Sequence, residues 1–320
     1  MPTAVDAPAA AGQAADRPPA RHDEAPERGW LVWLGLGIIY VVWGSTYLAI
    51  RVVDETMPPL LTSGLRFLVA GAIVYAVLLV RNGRDRLRVT RTQVASCALI
   101  GGLLVTGGNG LVMVGEVHVP SGLAALIIAS VPLWVVLYRR LAGEQIATGT
   151  LAGVAAGFAG VALLLLPGSG GGHIRAIGLL MVFLAAPCWA LGSFLSKRRP
   201  LPADPFLSTA LQMMLGGAIS MVAGVARGEV GDVHVATFSG RSLGAFAYLI
   251  AIGSLIAFTA YVWLLQHAPI SKVATYAYVN PVIAIFLGWL ILSEHVTTTI
   301  LGGAAIVVAS VAAIVRKESG

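Results

Sequence analysis

From about position 30 to position 315 the chain passes through one apolar stretch of about twenty residues after another, and this recurrence limits the fold more than any other feature. A helix of that length rises about 1.5 Å per residue, so it crosses a hydrocarbon core about 30 Å thick with its backbone groups paired internally. Ten runs can be read, at roughly 30–50, 59–80, 94–115, 121–138, 148–167, 176–196, 206–226, 243–265, 271–292 and 298–315. Composition agrees, with 57% hydrophobic and 11% charged residues, where soluble domains carry roughly 25% charged. The expected class is an all-α integral membrane protein with ten transmembrane helices, embedded in a lipid bilayer.

The two halves repeat one another. WGSTYLAIRVVDETMPPLLTSGLRFLVAGAI aligns without a gap to WALGSFLSKRRPLPADPFLSTALQMMLGGAI at an offset of 146, matching Trp43 to Trp189, Pro59 to Pro205 and Gly71 to Gly217. Further on, HVPSGLAALIIASVP matches HAPISKVATYAYVNP at an offset of 149, bringing Pro132 onto Pro281. The expected units are residues 30–167 (helices 1–5) and 176–315 (helices 6–10). Five is odd, so the second unit must enter the membrane inverted, an arrangement typical of secondary transporters. Gene duplication also builds channels and membrane scaffolds.

Loop charges set the orientation. With the N-terminus inside, cytoplasmic segments hold fifteen Arg and Lys residues, among them Arg81, Arg84, Lys197, Arg198 and Arg199, while outer segments hold four, Arg51, Arg175, Arg227 and Arg241. This bias places both termini in the cytoplasm and accounts for the pI near 9.6 without a nucleic-acid partner. Residues 1–29, rich in Ala and Pro, are expected to form a disordered cytoplasmic tail with no signal-peptide core. Cys97, Cys188 and the scattered histidines lack ligand spacing, so no metal site is expected. No P-loop, nucleophile elbow or His-Glu zinc pattern occurs, so neither an enzyme nor a cofactor is expected.

WGSTYLAIR, PPLLTSGLRFLVAG, GGNGLVMVGE, VPSGLAALIIASVP and TYAYVNPVIAIFLGWLILSE resemble the EamA family of the drug/metabolite transporter superfamily, close to its YedA-like exporter branch. The resemblance runs from about Trp30 to Val315. It implies two five-helix repeats in an inner membrane, a substrate path between the first four helices of each, and helices five and ten at the periphery. It also implies outward transport, with the substrate left open among amino acids, nucleosides, toxic compounds and other small metabolites.

Several residues are candidates for that path. Pro281 frees the carbonyl near position 277, which must be met by a neighbour or a cavity; Tyr276 and Asn280, four apart, supply polar groups there. Pro132, after Ser130, predicts a matching helix break. Either both breaks face a central cavity or they are kinks satisfied by packing. Tyr40, Trp43 and Tyr47 fall on one face at i, i+3 and i+7, with Trp189 repeating the pattern; such a stripe lines a cavity for amphipathic or cationic solutes or anchors the interface. Arg66, with Gln212 as its repeat counterpart, is an intramembrane charge that either attracts a substrate carboxylate or pairs with Glu116. Asn109 sits in a GGNG segment seven residues before Glu116. Glu116 is the candidate proton carrier if transport is proton-coupled, or else a solvated loop carboxylate. Glu144 and Glu294, at matching places, fix loop geometry or the starts of helices five and ten. The small faces of helices five and ten serve either contact within a repeat or a homodimer.

The function these readings favour is a secondary transporter of small organic metabolites or drugs, amino-acid-like or amphipathic, exporting by alternating access. An uncoupled facilitator or importer, or a non-transporting channel or sensor, is the alternative.

Overall fold

A computed structural model describes residues 29–166, 175–268, 273 and 275–317. The expected tail, apart from Gly29, lies outside the described residues. Among the described residues the chain is helical, with no strand. Helices α1 (Gly29–Val53) and α2 (Pro59–Asn82) are followed by α3 (Arg91–Glu116) and α4 (Ser121–Leu141), then α5 (Thr148–Leu164), α6 (Ala176–Ser196) and α7 (Pro205–Ala226). The segments Gly240–Tyr248, Leu249–Ile256 and Ala257–His267 run on as α8, followed by α9 (Tyr276–Leu292) and α10 (Thr298–Lys317). Seven of these, α1 to α4 and α6 to α8, hold spans long and apolar enough to cross a membrane, while Thr148–Leu164, Tyr276–Leu292 and Thr298–Ile314 are shorter apolar helices. Seventeen residues rise about 26 Å, at the short end of what crosses a hydrocarbon core, and α10 as a whole runs to twenty residues.

The starts of the helices are written locally. Thr90 and Gln93 form a reciprocal capping box at α3. Asp204 accepts from the amides of Phe206 (2.8 Å) and Leu207 (3.3 Å) ahead of Pro205, which needs no partner at the first helical position. Two starts are capped from far away instead. Glu229 Oε2 accepts from Leu61 N in α2 at 3.0 Å. Glu294 accepts from Ser121 N (2.8 Å), Ser121 Oγ (3.0 Å) and Gly122 N (3.2 Å) at α4. Glu294 therefore serves the first half of the chain rather than the start of α10, which takes its cap from Thr297 Oγ1.

These contacts sort the loops into two ends. The connection after α7 meets that after α1, where Arg241 Nη1 lies 3.7 Å from Glu55 Oε1, and the connection after α9 meets that after α3, which Arg51 ties to the same end through the Glu116 carbonyl. The connections after α4 and α6 meet at the other, where Arg139 (2.7 Å) and Arg198 both bind Glu144 and Gln93 Nε2 donates to Leu201 O at 3.2 Å. Those hydrogen bonds, Arg139 foremost, hold the Glu144 carboxyl below the usual range. The connection after α1 and its repeat counterpart after α6 thus lie at opposite ends.

Small residues set several close crossings. Gly64 and Gly71 of α2 face Gly217 and Ala210 of α7. Gly160 and Gly303 bring α5 onto α10, while Gly157 lies against Leu133 of α4. The small face of α5 is thereby occupied within the chain, and Ala305, Ala309 and Ala313 of α10 point outward.

Candidate functional site: a central cavity

At the middle of the bundle lies a cavity with about 170 Å³ of water-accessible space. Helices α1 to α4 and α6 to α9 line it, and α5 and α10 contribute no lining residue among those described. The wall is mostly apolar and aromatic. It brings together Trp43, Tyr47, Arg66, Asn109, Pro132, Trp189, Gln212, Tyr276, Asn280 and Pro281 from the sequence expectation, and it excludes Tyr40 and Glu116.

Irregular backbone surrounds this space. In α3 the residues Gly102–Gly110 form a π-helix, and in α8 Leu249–Ile256 form another. These wide turns occur often at functional sites. Asn109 Nδ2 donates to Leu104 O, five residues back, at 3.3 Å, so the amide closes on the carbonyl of its own widened turn. Gly108 is held open by the Trp189 ring, which a Cβ there would meet at 2.5 Å. The α4 helix stops at Ile128 and restarts at Val131, with Ser130 Oγ donating to Ile127 O at 2.6 Å and Pro132 in the new first turn. Pro281 behaves differently: α9 runs unbroken through it, correcting the expected symmetric break. Only five residues precede it in α9, so a single carbonyl, that of Ala277, loses its helical donor, and Ala277 is itself in the cavity wall.

Polar side chains are held in named contacts. Asn280, with its amide nitrogen turned to the carbonyls, reaches Tyr276 O at 3.3 Å and Tyr40 O at 3.2 Å, tying α9 to α1. Trp43 Nε1 donates to Gly253 O at 3.4 Å, and its ring lies 5.1 Å from those of Tyr261 and Tyr276. Gln212 Nε2 donates to Ser208 Oγ at 2.9 Å. Arg66, 4% exposed, donates from Nε to Ser254 Oγ at 3.0 Å and lies over the Phe67 ring at 4.7 Å. Its Nη1 is buried with no hydrogen-bond partner.

Two candidates fall elsewhere. Tyr40 turns its hydroxyl to Thr275 Oγ1 and leaves the cavity wall to Trp43 and Tyr47. Glu116 is 0% exposed, which corrects the reading of a solvated loop carboxylate, and Arg66 makes no ion pair with it; both its carboxylate oxygens are buried without a hydrogen bond. Arg51 donates instead to the Glu116 main-chain carbonyl. Nearby Asp54, in the loop after α1, also has both oxygens buried and unpartnered. Burial raises the Asp54 carboxyl well above the usual range, with Arg51 opposing and Glu229 adding.

Thr46, beside the aromatic stripe of α1, also lines the cavity, as do Phe67, Thr209, Met213, Gly253, Ser254 and Phe258, which the sequence does not single out. The Gly253-Ser254 step, two small residues amid an apolar run, was the available signal for the most consequential pair.

Helices broken or widened beside a cavity deep in an apolar bundle are the architecture of a membrane transporter. Comparison with known proteins gives the family. The model of the EamA-like transporter family matches twice, over residues 30–166 and 176–316, and the chain belongs to that family. It is 38% identical over 253 residues to the uncharacterized inner membrane transporter YedA of Escherichia coli (strain K12), covering 78% of this chain and 79% of that one. It is 30% identical over 285 residues to the uncharacterized transporter YvbV of Bacillus subtilis (strain 168), covering 88% and 91%. A probable amino-acid metabolite efflux pump of Escherichia coli (strain K12) is 24% identical over 282 residues, covering 84% and 90%. One solved crystal structure shares the fold at a TM-score of 0.59 and 22% identity, spanning 90% of this chain and 99% of the other.

Proposed function

We propose that the protein is a secondary transporter moving small organic metabolites or drugs, amino-acid-like or amphipathic, outward across the inner membrane by alternating access. In this reading ten spans form two inverted repeats, 30–167 and 176–315, with residues 1–29 as a cytoplasmic tail and both ends of the chain inside. The observation that carries it is the cavity, walled by four helices from each half and flanked by a π-helix from each. Inversion is supported by an exchange of contacts: Gly64 meets Gly217 and Gly71 meets Ala210, and the offset of 146 maps each contact onto the other. A two-fold axis in the membrane plane produces this exchange, and it lets one packing open to either side. Export and the inner membrane draw support from the names of the relatives alone.

Trp43, Tyr47, Trp189 and Tyr276 form the solute-facing wall, with Arg66, Asn109, Gln212 and Asn280 supplying its polar points. Pro132 marks a bend that divides α4 beside the cavity, and Pro281 leaves a carbonyl free at its edge. Glu116 serves as the proton site, buried and unpartnered in α3, the helix that also brings Asn109 to the cavity wall. Counterflow in proteoliposomes tests the reading, using a mixed panel of amino acids, nucleosides and aromatic acids. Exchange of a preloaded solute is expected. Flux without counterflow, at channel-like rates, would contradict it. Under an imposed pH gradient Glu116→Gln should abolish gradient-driven accumulation, and full retention would remove Glu116 as the proton site.

A further inference from the structure

We propose that the cavity selects organic anions, specifically monocarboxylates carrying a flat apolar body, with Arg66 as the anion receptor and the lack of an acidic lining residue as the filter against cations. The inference rests on the transporter reading and gives it a substrate class.

The lining holds one strongly basic side chain, Arg66, and, among the described residues, no Asp or Glu. A guanidinium buried to 4% exposure without a countercharge is costly in a membrane bundle. The surrounding residues nevertheless fix it in place. Ser254 takes Nε, the Phe67 ring covers one face, and Gly253 leaves room for Nη2, which a Cβ at that position would meet at 3.3 Å. Nη1 is left as a buried charged donor without an acceptor, on a side chain that lines the cavity. A carboxylate is the group that supplies both the missing charge and the missing acceptor.

The rest of the wall describes the rest of the ligand. Trp43, Tyr47, Phe258 and Trp189 offer ring faces for a planar apolar body, and the Trp43 indole N–H is already committed to Gly253 O. A single guanidinium in so apolar a space matches one negative charge, whereas a phosphate dianion would call for further cations. A cation would face Arg66 with no acid to offset it, so the aromatic stripe does not serve as a cation–π cage here. The repeat counterpart of Arg66 is the neutral Gln212, so charge enters the cavity from one half only.

The test is equilibrium binding of 3-phenylpropionate, phenylalanine and phenethylamine to the purified full chain, a series that keeps one ring and changes the charge from anion to zwitterion to cation. The anion should bind tightest and the cation weakest. Arg66→Gln should weaken anion binding about tenfold or more, and Arg66→Lys should recover part of it. Equal or tighter binding of phenethylamine, no binding of 3-phenylpropionate at millimolar concentration, or unaltered anion affinity in folded Arg66→Gln would each overturn the proposal. The wild-type series decides the question even if Arg66→Gln does not fold. Counterflow of phenethylamine that ignores Arg66 would leave the transporter reading standing and this one lost. Arg66-dependent anion binding without counterflow would do the reverse.

Discussion

Gly64 of α2 and Gly217 of α7 lie so close that a methyl group built on either would stand 2.8 Å from the carbonyl oxygen of the other. Backbone cannot yield as a side-chain tip does. Gly64→Ala and Gly217→Ala should therefore each cost about 1–3 kcal/mol, read as a lower melting temperature in detergent. Gly37 of α1 provides the control, since nothing lies within 4 Å of a Cβ built there. Gly37→Ala should be neutral or mildly stabilising, as alanine is the better helix former. Equal melting temperatures for all three variants and the parent would show that the α2–α7 crossing is looser than described.

The Glu294 cap joins distant parts of the chain through three bonds to Ser121 and Gly122. Glu294→Ala should destabilise the fold by about 0.5–2 kcal/mol, the usual range for a lost helix cap. Glu294→Gln, which keeps an acceptor, should lose less. Thermal unfolding of the two variants ranks them, and an Ala variant as stable as the parent would contradict the assignment.

Asp54 gives stability a pH dependence of known sign. Its folded-state value is raised, so its contribution is complete below the ordinary carboxylate value of about 3.9 and is lost as pH rises through the raised value. Asp54→Asn should melt higher than the parent at pH 8, with the gap closing towards pH 4. A pH-independent difference would show that Asp54 is not buried as a protonated acid.

Trp43 and Trp189 face the cavity from opposite repeats. Trp43→Ala and Trp189→Ala should each lower counterflow severalfold while leaving folded, monodisperse protein, since neither ring is deeply buried in the core. Parental kinetics in both variants would assign the rings to packing.

Much of this arrangement was legible in the sequence. Run length and the matched Pro59 and Pro205 mark where helices start, because proline at the first helical turn is a local signal. The aromatic face of α1 is also readable, but the depth of each ring is not: Tyr40 lies seven residues from Tyr47, about 10 Å along the axis, and meets Thr275 while Tyr47 lines the cavity. The burial of Glu116, whose main-chain carbonyl accepts from Arg51, is a tertiary fact with no local pattern. The π-helices escaped for a related reason. Hydrophobic periodicity does not distinguish a widened turn from an ordinary one within a short apolar run, so Ser254 passed unnoticed beside its eventual partner Arg66.

A cavity shared between the repeats requires the two halves to be threaded in opposite senses. Cysteine accessibility in intact cells tests this directly, with Cys97 and Cys188 replaced by serine and single Glu55→Cys and Lys197→Cys variants reacted with an impermeant maleimide. The two positions lie in corresponding loops at opposite ends of the bundle. The prediction is labelling at position 55 from outside and at position 197 only after the membrane is opened. Labelling of both from the same side would contradict the inverted arrangement and the shared cavity built on it.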